Sequence, residues 1–279
     1  MDRSVKRAFV RRTIALMLML LATSAVAQSL LKTVELCNGA DRSSPEPQIF
    51  GCTALIESGA EPQVLTIAYN NRGDAYIAKG DYDRAIQDYD QSIKVSPTNA
   101  KAFNNRGVAY QKKREYDRAI EDFNEAIKLD PNYASPFANR AETYLKKGNY
   151  DRAVRDYDEV IRLQPKWAAV WNGRCWTRAI IGELQAALAD CNEALRLEPN
   201  VAATLDSRGL AYLKLGQLDS AIADYNAALR VGPNLASSLY GRGLAKLKNG
   251  DASGGNADIA AAQAIKPSIV GEFVQYGAQ

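Results

Sequence analysis

From Thr66 onward, small and large apolar residues recur on a fixed beat. Counting stretches of 34 from Thr66, Ala100, Ala134, Ala168, Ala202 and Ala236, position 8 is Gly73, Gly107, Ala141, Cys175, Gly209 and Gly243. Position 20 is Ala85, Ala119, Ala153, Ala187, Ala221 and Gly255, and position 24 is Tyr89, Phe123, Tyr157, Cys191, Tyr225 and Ile259. Position 11 is tyrosine four times, at Tyr76, Tyr110, Tyr144 and Tyr212. Positions 4, 8 and 11 lie three or four apart, so they share one face of a helix, and positions 20, 24 and 27 share one face of a second. The pattern predicts six helix pairs, with small residues at 8 and 20 letting the two helices approach and large ones at 4 and 24 filling the flanks.

Polar and special residues punctuate the same beat. Gly80, Gly148, Gly182, Gly216 and Gly250 at position 15 can end the first helix in a left-handed turn. Asp83, Asp117, Asp151 and Asp219 at position 18 are expected to cap the second. Pro97, Pro131, Pro165, Pro199, Pro233 and Pro267 at position 32 disfavour helix at the preceding residue and close the second helix. The repeats span 66–99, 100–133, 134–167, 168–201, 202–235 and 236–269 without a gap. Residues 28–65 read as a degenerate helical hairpin that caps one end, with helices over 30–37 and 48–58. Residues 268–279 read as a short capping helix and tail, with Ile269, Val270 and Phe273 turned onto the last repeat.

A 34-residue period with these residues at these offsets resembles the tetratricopeptide repeat (TPR). The resemblance implies an all-α fold, a right-handed superhelical solenoid of antiparallel helix pairs in which each hairpin buries its apolar face only by stacking on its neighbours. It also implies a protein or peptide partner. A catalytic group would have to come from the two caps, and neither holds a nucleophile–base constellation, so no catalytic activity and no cofactor are expected.

The N-terminus carries a different signal. Arg3, Lys6, Arg7, Arg11 and Arg12 precede a charge-free apolar run from Ile14 to Leu21, followed by Ala25-Val26-Ala27. This is the layout of a signal peptide over residues 1–27, cut after Ala27, and the apolar run is too short to span a bilayer comfortably. Export to the periplasm or beyond is therefore expected, with no stable membrane insertion after cleavage. The formal net charge of +3 depends on that leader, which holds five basic groups and one acid; without it the chain carries −1. No nucleic-acid partner follows from such a charge. Histidine is absent, which removes His-dependent triads and most zinc sites, so no metal site is expected.

An exported chain can hold disulfides. Cys175 and Cys191 replace, together, the small residue at position 8 and the large one at position 24 of one repeat. Both positions face the interior of one hairpin, which predicts a Cys175–Cys191 bridge. Cys37 and Cys52 have nearly the same spacing and are expected to bridge the N-terminal hairpin. No C-x-x-C pair supports a redox or metal reading.

Position 7 is arginine in every repeat: Arg72, Arg106, Arg140, Arg174, Arg208 and Arg242. Position 23 is aspartate in every repeat: Asp88, Asp122, Asp156, Asp190, Asp224 and Asp258. Common TPR sequences, as the resemblance implies, have Leu and Tyr there. The paired swap predicts six structural ion pairs; the competing reading, six arginines tracking an anionic ligand, is opposed by the equal number of acids.

In TPR proteins the groove is lined mainly by positions 2, 5, 6, 9, 12 and 13. Here positions 5 and 6 supply Asn70, Asn71, Asn104, Asn105, Asn139 and Asn172. The arrangement resembles asparagine ladders that grip extended peptide backbone, because an amide both donates and accepts. The other reading is that these amides brace neighbouring helices. Lys112 and Lys146 at position 13, with Lys214 and Lys248, would edge the groove with positive charge or simply favour a helix C-terminus. Trp176 at position 9 is a candidate anchor for a partner side chain, or packs on an adjacent helix. A clamp for a C-terminal carboxylate is not supported, since position 2 offers only Lys101. The chain is expected to be a periplasmic or secreted interaction scaffold binding an extended peptide or partner in its groove. The alternative is an envelope-protein assembly factor or chaperone with a more promiscuous groove.

Overall fold

The computed structural model describes residues 27–39 and 44–278. The expected leader, residues 1–26, lies outside the described residues. What is described is helix, turn and loop without a strand, and it falls into two compact units that meet in sequence at Leu129 and Asp130. The first unit holds α1 (27–37), α2 (Glu46–Glu57), α3 (Pro62–Lys79), α4 (Tyr82–Val95), α5 (Ala100–Lys112) and α6 (Tyr116–Leu129). The second holds α7 (Ala134–Lys146), α8 (Tyr150–Leu163), α9 (Ala168–Ile181), α10 (Leu184–Leu197), α11 (Ala202–Lys214), α12 (Leu218–Val231), α13 (Ala236–Lys248), α14 (Ala252–Ile265) and α15 (Ile269–Gln275). Within each unit successive helices pack as antiparallel hairpins, and the fold is an all-α TPR solenoid.

The small-and-aromatic pattern has a direct steric cause. A Cβ added to Gly73 would lie 2.6 Å from the Tyr89 ring, one on Gly107 2.6 Å from Phe123, and one on Gly209 2.8 Å from Tyr225. An aromatic ring at position 24 therefore lies where a side chain at position 8 would begin. In the hairpin α7–α8, position 8 is Ala141, and the Tyr157 ring tip reaches the next first helix, where a Cβ on Gly173 would lie 2.8 Å from it. In α9–α10 the ring is absent, and Cys175 and Cys191 join across the same gap with Cα atoms 5.4 Å apart. Cys37 joins Cys52 between α1 and α2, with Cα atoms 4.5 Å apart.

Helix ends follow the punctuation with two differences. The left-handed turn at position 15 occurs at Gly80, with φ of 76°. In the next hairpin that place is taken by Arg114, with φ of 63°, because the same turn is required where no glycine is present. The second helices begin two residues earlier than expected, which moves the cap from position 18 to position 16. Asp81 accepts from the Arg84 N–H at 3.2 Å, and Asp251 accepts from the Gly254 N–H at 2.8 Å. Asp83, Asp117, Asp151 and Asp219 thus sit inside the first turn rather than at the cap. There their charge favours the positive end of the helix dipole instead of closing a backbone hydrogen bond.

Candidate partner-binding face

In every repeat the position-7 arginine forms a two-pronged pair with the position-23 aspartate of its own hairpin. Arg72 donates through Nε and Nη2 to Asp88 at 2.8 and 2.7 Å, Arg140 to Asp156 at the same distances, and Arg174 to Asp190 at 2.9 and 2.6 Å. Arg106–Asp122, Arg208–Asp224 and Arg242–Asp258 repeat the geometry. The remaining Nη1 reaches the preceding hairpin: Arg106 to Asp90 at 2.5 Å, Arg174 to Asp158 at 2.6 Å, Arg208 to Asn192 and Arg242 to Asn226 at 2.8 Å. Arg72 makes the corresponding bond to Thr53 of α2 at 3.0 Å. In the first four repeats aromatic rings at position 4 flank the guanidinium groups, as Trp171 does for Arg174 at 5.0 Å. These arginines have their donors engaged within the fold and do not present a free anionic track.

The asparagines divide by position. Asn71 Nδ2 donates to the Cys37 carbonyl at 3.1 Å and to Asn38 at 3.2 Å, tying α3 to the N-terminal hairpin. Asn104 Nδ2 donates to Asn105 Oδ1 at 3.0 Å, Asn105 Nδ2 to Asp74 at 2.9 Å, and the Tyr89 hydroxyl to the same Asp74 oxygen at 2.6 Å. Burial pushes the Asp74 carboxyl above the usual range. Asn139 is half-buried on α7, and its carbonyl accepts from Thr143 at 2.8 Å. Two position-5 residues differ. Asn70 Oδ1 and Asn172 Oδ1 are buried, and neither has a donor among the described residues. A buried acceptor left without a partner carries a desolvation cost, so each oxygen has capacity for an incoming donor.

In the second unit Asn172 borders a cleft of about 330 Å³ between α9, α11 and α13. Asp206 and Ser207 of α11, Ser237 of α13 and the Trp176 ring form its walls. Asp206 accepts from the Ser238 hydroxyl at 2.5 Å and from Ser237, and burial pushes its carboxyl above the usual range. Ser207 donates to the Ala203 carbonyl at 2.9 Å. A cleft of about 400 Å³ also opens at the α7–α8 turn, but its cations, Arg152 and Arg155, are exposed residues in the first turns of α8.

The chain's own C-terminal segment rests on this face. The Trp176 and Tyr276 rings meet edge-to-face with centroids 4.9 Å apart, and Tyr240 at position 5 packs on Phe273 at 4.8 Å. Lys214 donates to the carbonyls of Ala179, Ile180 and Tyr276 at 2.8, 3.0 and 2.7 Å, and burial pushes its ammonium below the usual lysine range. The Tyr276 hydroxyl is pushed up to about 12, first by burial and then by nearby negative charge including Glu272 and Asp206. Trp176, a candidate anchor for a partner, thus has one edge on its own chain, while Lys112 and Lys146 stand exposed. Sequence reasoning missed Tyr276 and Asp206; the signal for Asp206 was its break in the asparagine pattern of position 5.

Stacked helix hairpins with a polar first-helix face define the class of helical-repeat binding scaffolds. A family model described as "TPR repeat" matches residues 73–114 and 209–250, and one described as "Tetratricopeptide repeat" matches 100–133 and 134–166. The chain thus carries tetratricopeptide repeats over residues 73–166 and 209–250. No curated protein matches the sequence. Among solved structures it is similar to a tetratricopeptide repeat protein from Parabacteroides merdae, with 18% identity, a TM-score of 0.65, and coverage of 88% of this chain and 99% of that one. It is also similar to PilW, a widely conserved type IV pilus biogenesis factor, with 20% identity, a TM-score of 0.65, and 73% and 94% coverage. YrrB, a TPR protein with an unusual peptide-binding site, matches with 18% identity, a TM-score of 0.53, and 65% and 94% coverage. At these identities the likeness is one of fold.

Proposed function

We propose that the chain is an exported scaffold that holds a protein or peptide partner against its first-helix face, without a catalytic step. The observation that carries this reading is the pair of buried amide oxygens at Asn70 and Asn172, each with an acceptor that no donor among the described residues uses and that a peptide N–H would satisfy. Export is supported by the leader pattern and by the Cys37–Cys52 and Cys175–Cys191 pairs, since such bonds persist in oxidising compartments. Among the described residues no helix is long and apolar enough to cross a membrane. A second reading, an envelope assembly factor with a less selective face, draws on the likeness to PilW.

The test has two arms. Mass spectrometry of protein from the envelope fraction is expected to find an N-terminus at Gln28; a retained Met1 would remove the cleaved-export reading. A partner captured by the wild-type chain is expected to be lost by Asn172→Ala or Asn70→Ala at unchanged melting temperature. Capture indifferent to both substitutions would place binding elsewhere.

A further inference from the structure

The polar lining of the α9–α11–α13 cleft is one-sided. Ser238 gives its hydroxyl proton to Asp206, and Ser207 gives its own to the Ala203 carbonyl. What these lining groups hold in reserve are acceptors: the Asp206 carboxyl group, the Ser207 oxygen and the Asn172 carbonyl oxygen, which is buried without a donor among the described residues. The hydrogen bonds to Asp206 come from serine hydroxyls, which are neutral donors, and no cation pairs with its carboxyl group among the described residues. Lys214, a cation of the same helix, already gives its ammonium to three backbone carbonyls.

We propose that this cleft is a subsite for a basic side chain, a lysine ammonium or an arginine guanidinium carried by the partner. The inference rests on the scaffold reading above and names what one part of that face recognises. A cation with several N–H donors matches every open group at once: it neutralises Asp206, donates to Asn172 Oδ1 and Ser207, and lies beside the Trp176 ring, whose face attracts positive charge. An anion would meet the Asp206 carboxylate. A neutral amide could satisfy Asn172 but would leave the Asp206 charge desolvated and unpaired, the costlier of the two defects. A volume of about 330 Å³ accommodates one extended side chain.

The experiment uses the purified full chain, 15N-labelled at tryptophan, with the Trp176 indole signal assigned through Trp176→Phe. The probes are N-acetylated, C-amidated pentapeptides of serine with one central residue: arginine, lysine or citrulline, the last having the arginine shape without its charge. The arginine and lysine peptides are expected to shift the Trp176 signal saturably, and the citrulline peptide to bind about tenfold more weakly, the loss expected for one charge-assisted hydrogen bond. In Asp206→Asn the three peptides are expected to bind alike. No saturable shift with the charged peptides, equal binding of citrulline to the wild type, or undiminished discrimination by Asp206→Asn would each overturn the subsite. The citrulline comparison is made on the wild-type protein, so it decides the matter even if the variant misfolds. Failure of the peptides with a captured partner still dependent on Asn172 would remove this subsite and leave the scaffold reading standing.

Discussion

Arg106 holds Asp90 of the preceding hairpin with one guanidinium nitrogen, Nη1 to Oδ1 at 2.5 Å, while its other two grip Asp122 of its own. One side chain therefore fastens both the hairpin and the seam between hairpins. Asp122 is nearly buried and Asp90 is half-exposed, so the two bonds differ in weight. Arg106→Leu is expected to destabilise by about 3 kcal/mol, because it leaves the Asp122 charge buried and unpaired. Arg106→Leu with Asp122→Leu should recover much of that loss, and Asp90→Ala alone should cost under about 1 kcal/mol. Urea denaturation of these three variants and of Asp122→Leu checks this. Simple additivity of the Arg106 and Asp122 changes would show that the pair is not coupled.

Arg114 supplies a second prediction. Its φ of 63° is one that Gly80, Gly148 and Gly216 adopt at the same position without a Cβ penalty. The side chain is exposed, so little packing would be lost with it. Arg114→Gly is expected to stabilise by about 1 kcal/mol, the cost of a side chain in left-handed backbone. An unchanged or lowered melting temperature would contradict the strain.

The Cys175–Cys191 bridge replaces the glycine–aromatic contact found in α3–α4, α5–α6 and α11–α12. Reduction, or Cys175→Ala with Cys191→Ala, is expected to cost roughly 3 kcal/mol in the chain-entropy account of a loop this size. Cys191→Tyr alone should cost more, since the new ring would meet the Cys175 Cβ as the Tyr225 ring would meet a Cβ on Gly209, at 2.8 Å. Cys175→Gly with Cys191→Tyr restores the neighbours' geometry and should be the more stable of the two tyrosine variants. Denaturation under non-reducing conditions decides the order.

The fold was legible because its determinants are local and repeated. Gly73 against Tyr89 and Gly209 against Tyr225 are short-range contacts whose spacing the chain prints several times over. The arginine–aspartate pairs were legible for the same reason, though the third bond was not, because its acceptor position varies: Asp90, Asn124, Asp158, Asn192, Asn226 and Ala260. The face was less legible. Whether Asn71 grips a ligand or braces α1 depends on where the Cys37 carbonyl lies, which spacing does not reveal. The Trp176–Tyr276 contact joins residues far apart in the chain, one of them outside the periodic region, so no repeat pattern could signal it.

Asp206 gives a pH prediction. Its folded carboxyl titrates above the ordinary 3.8 because burial disfavours the charge. Between the unfolded and folded values the native state holds a proton that the unfolded chain has lost. The group's contribution therefore falls as pH rises through that window, and it is destabilising at neutrality. Asp206→Asn removes the titration and keeps an acceptor for Ser238. The variant's melting temperature is expected to exceed the wild type's near pH 7, with the difference shrinking toward zero below about pH 4. A difference independent of pH would mean that Asp206 is not held in a desolvated site.

The last prediction concerns α15. Seven residues are too few for a helix to persist alone in water, so α15 exists only while docked. Its hold is Ile269 and Phe273, each 1% exposed, and burial of such side chains contributes about 1.5–3 kcal/mol apiece. Removing the Phe273 ring would take away one of two anchors and leave a cavity beside Tyr240. Phe273→Ala should thus undock the whole segment rather than merely weaken one contact, releasing Tyr276 from Trp176 and from Lys214. Phe273→Ala and truncation after Lys266 are then expected to destabilise to nearly the same extent, by about 3 kcal/mol. In both, the Trp176 indole should become accessible to iodide quenching, and in Phe273→Ala the amides of residues 269–276 should exchange as in unfolded chain. A clearly larger loss on truncation, with Trp176 still shielded in Phe273→Ala, would show that Ile269 and the Lys214–Tyr276 bond hold the segment without the ring.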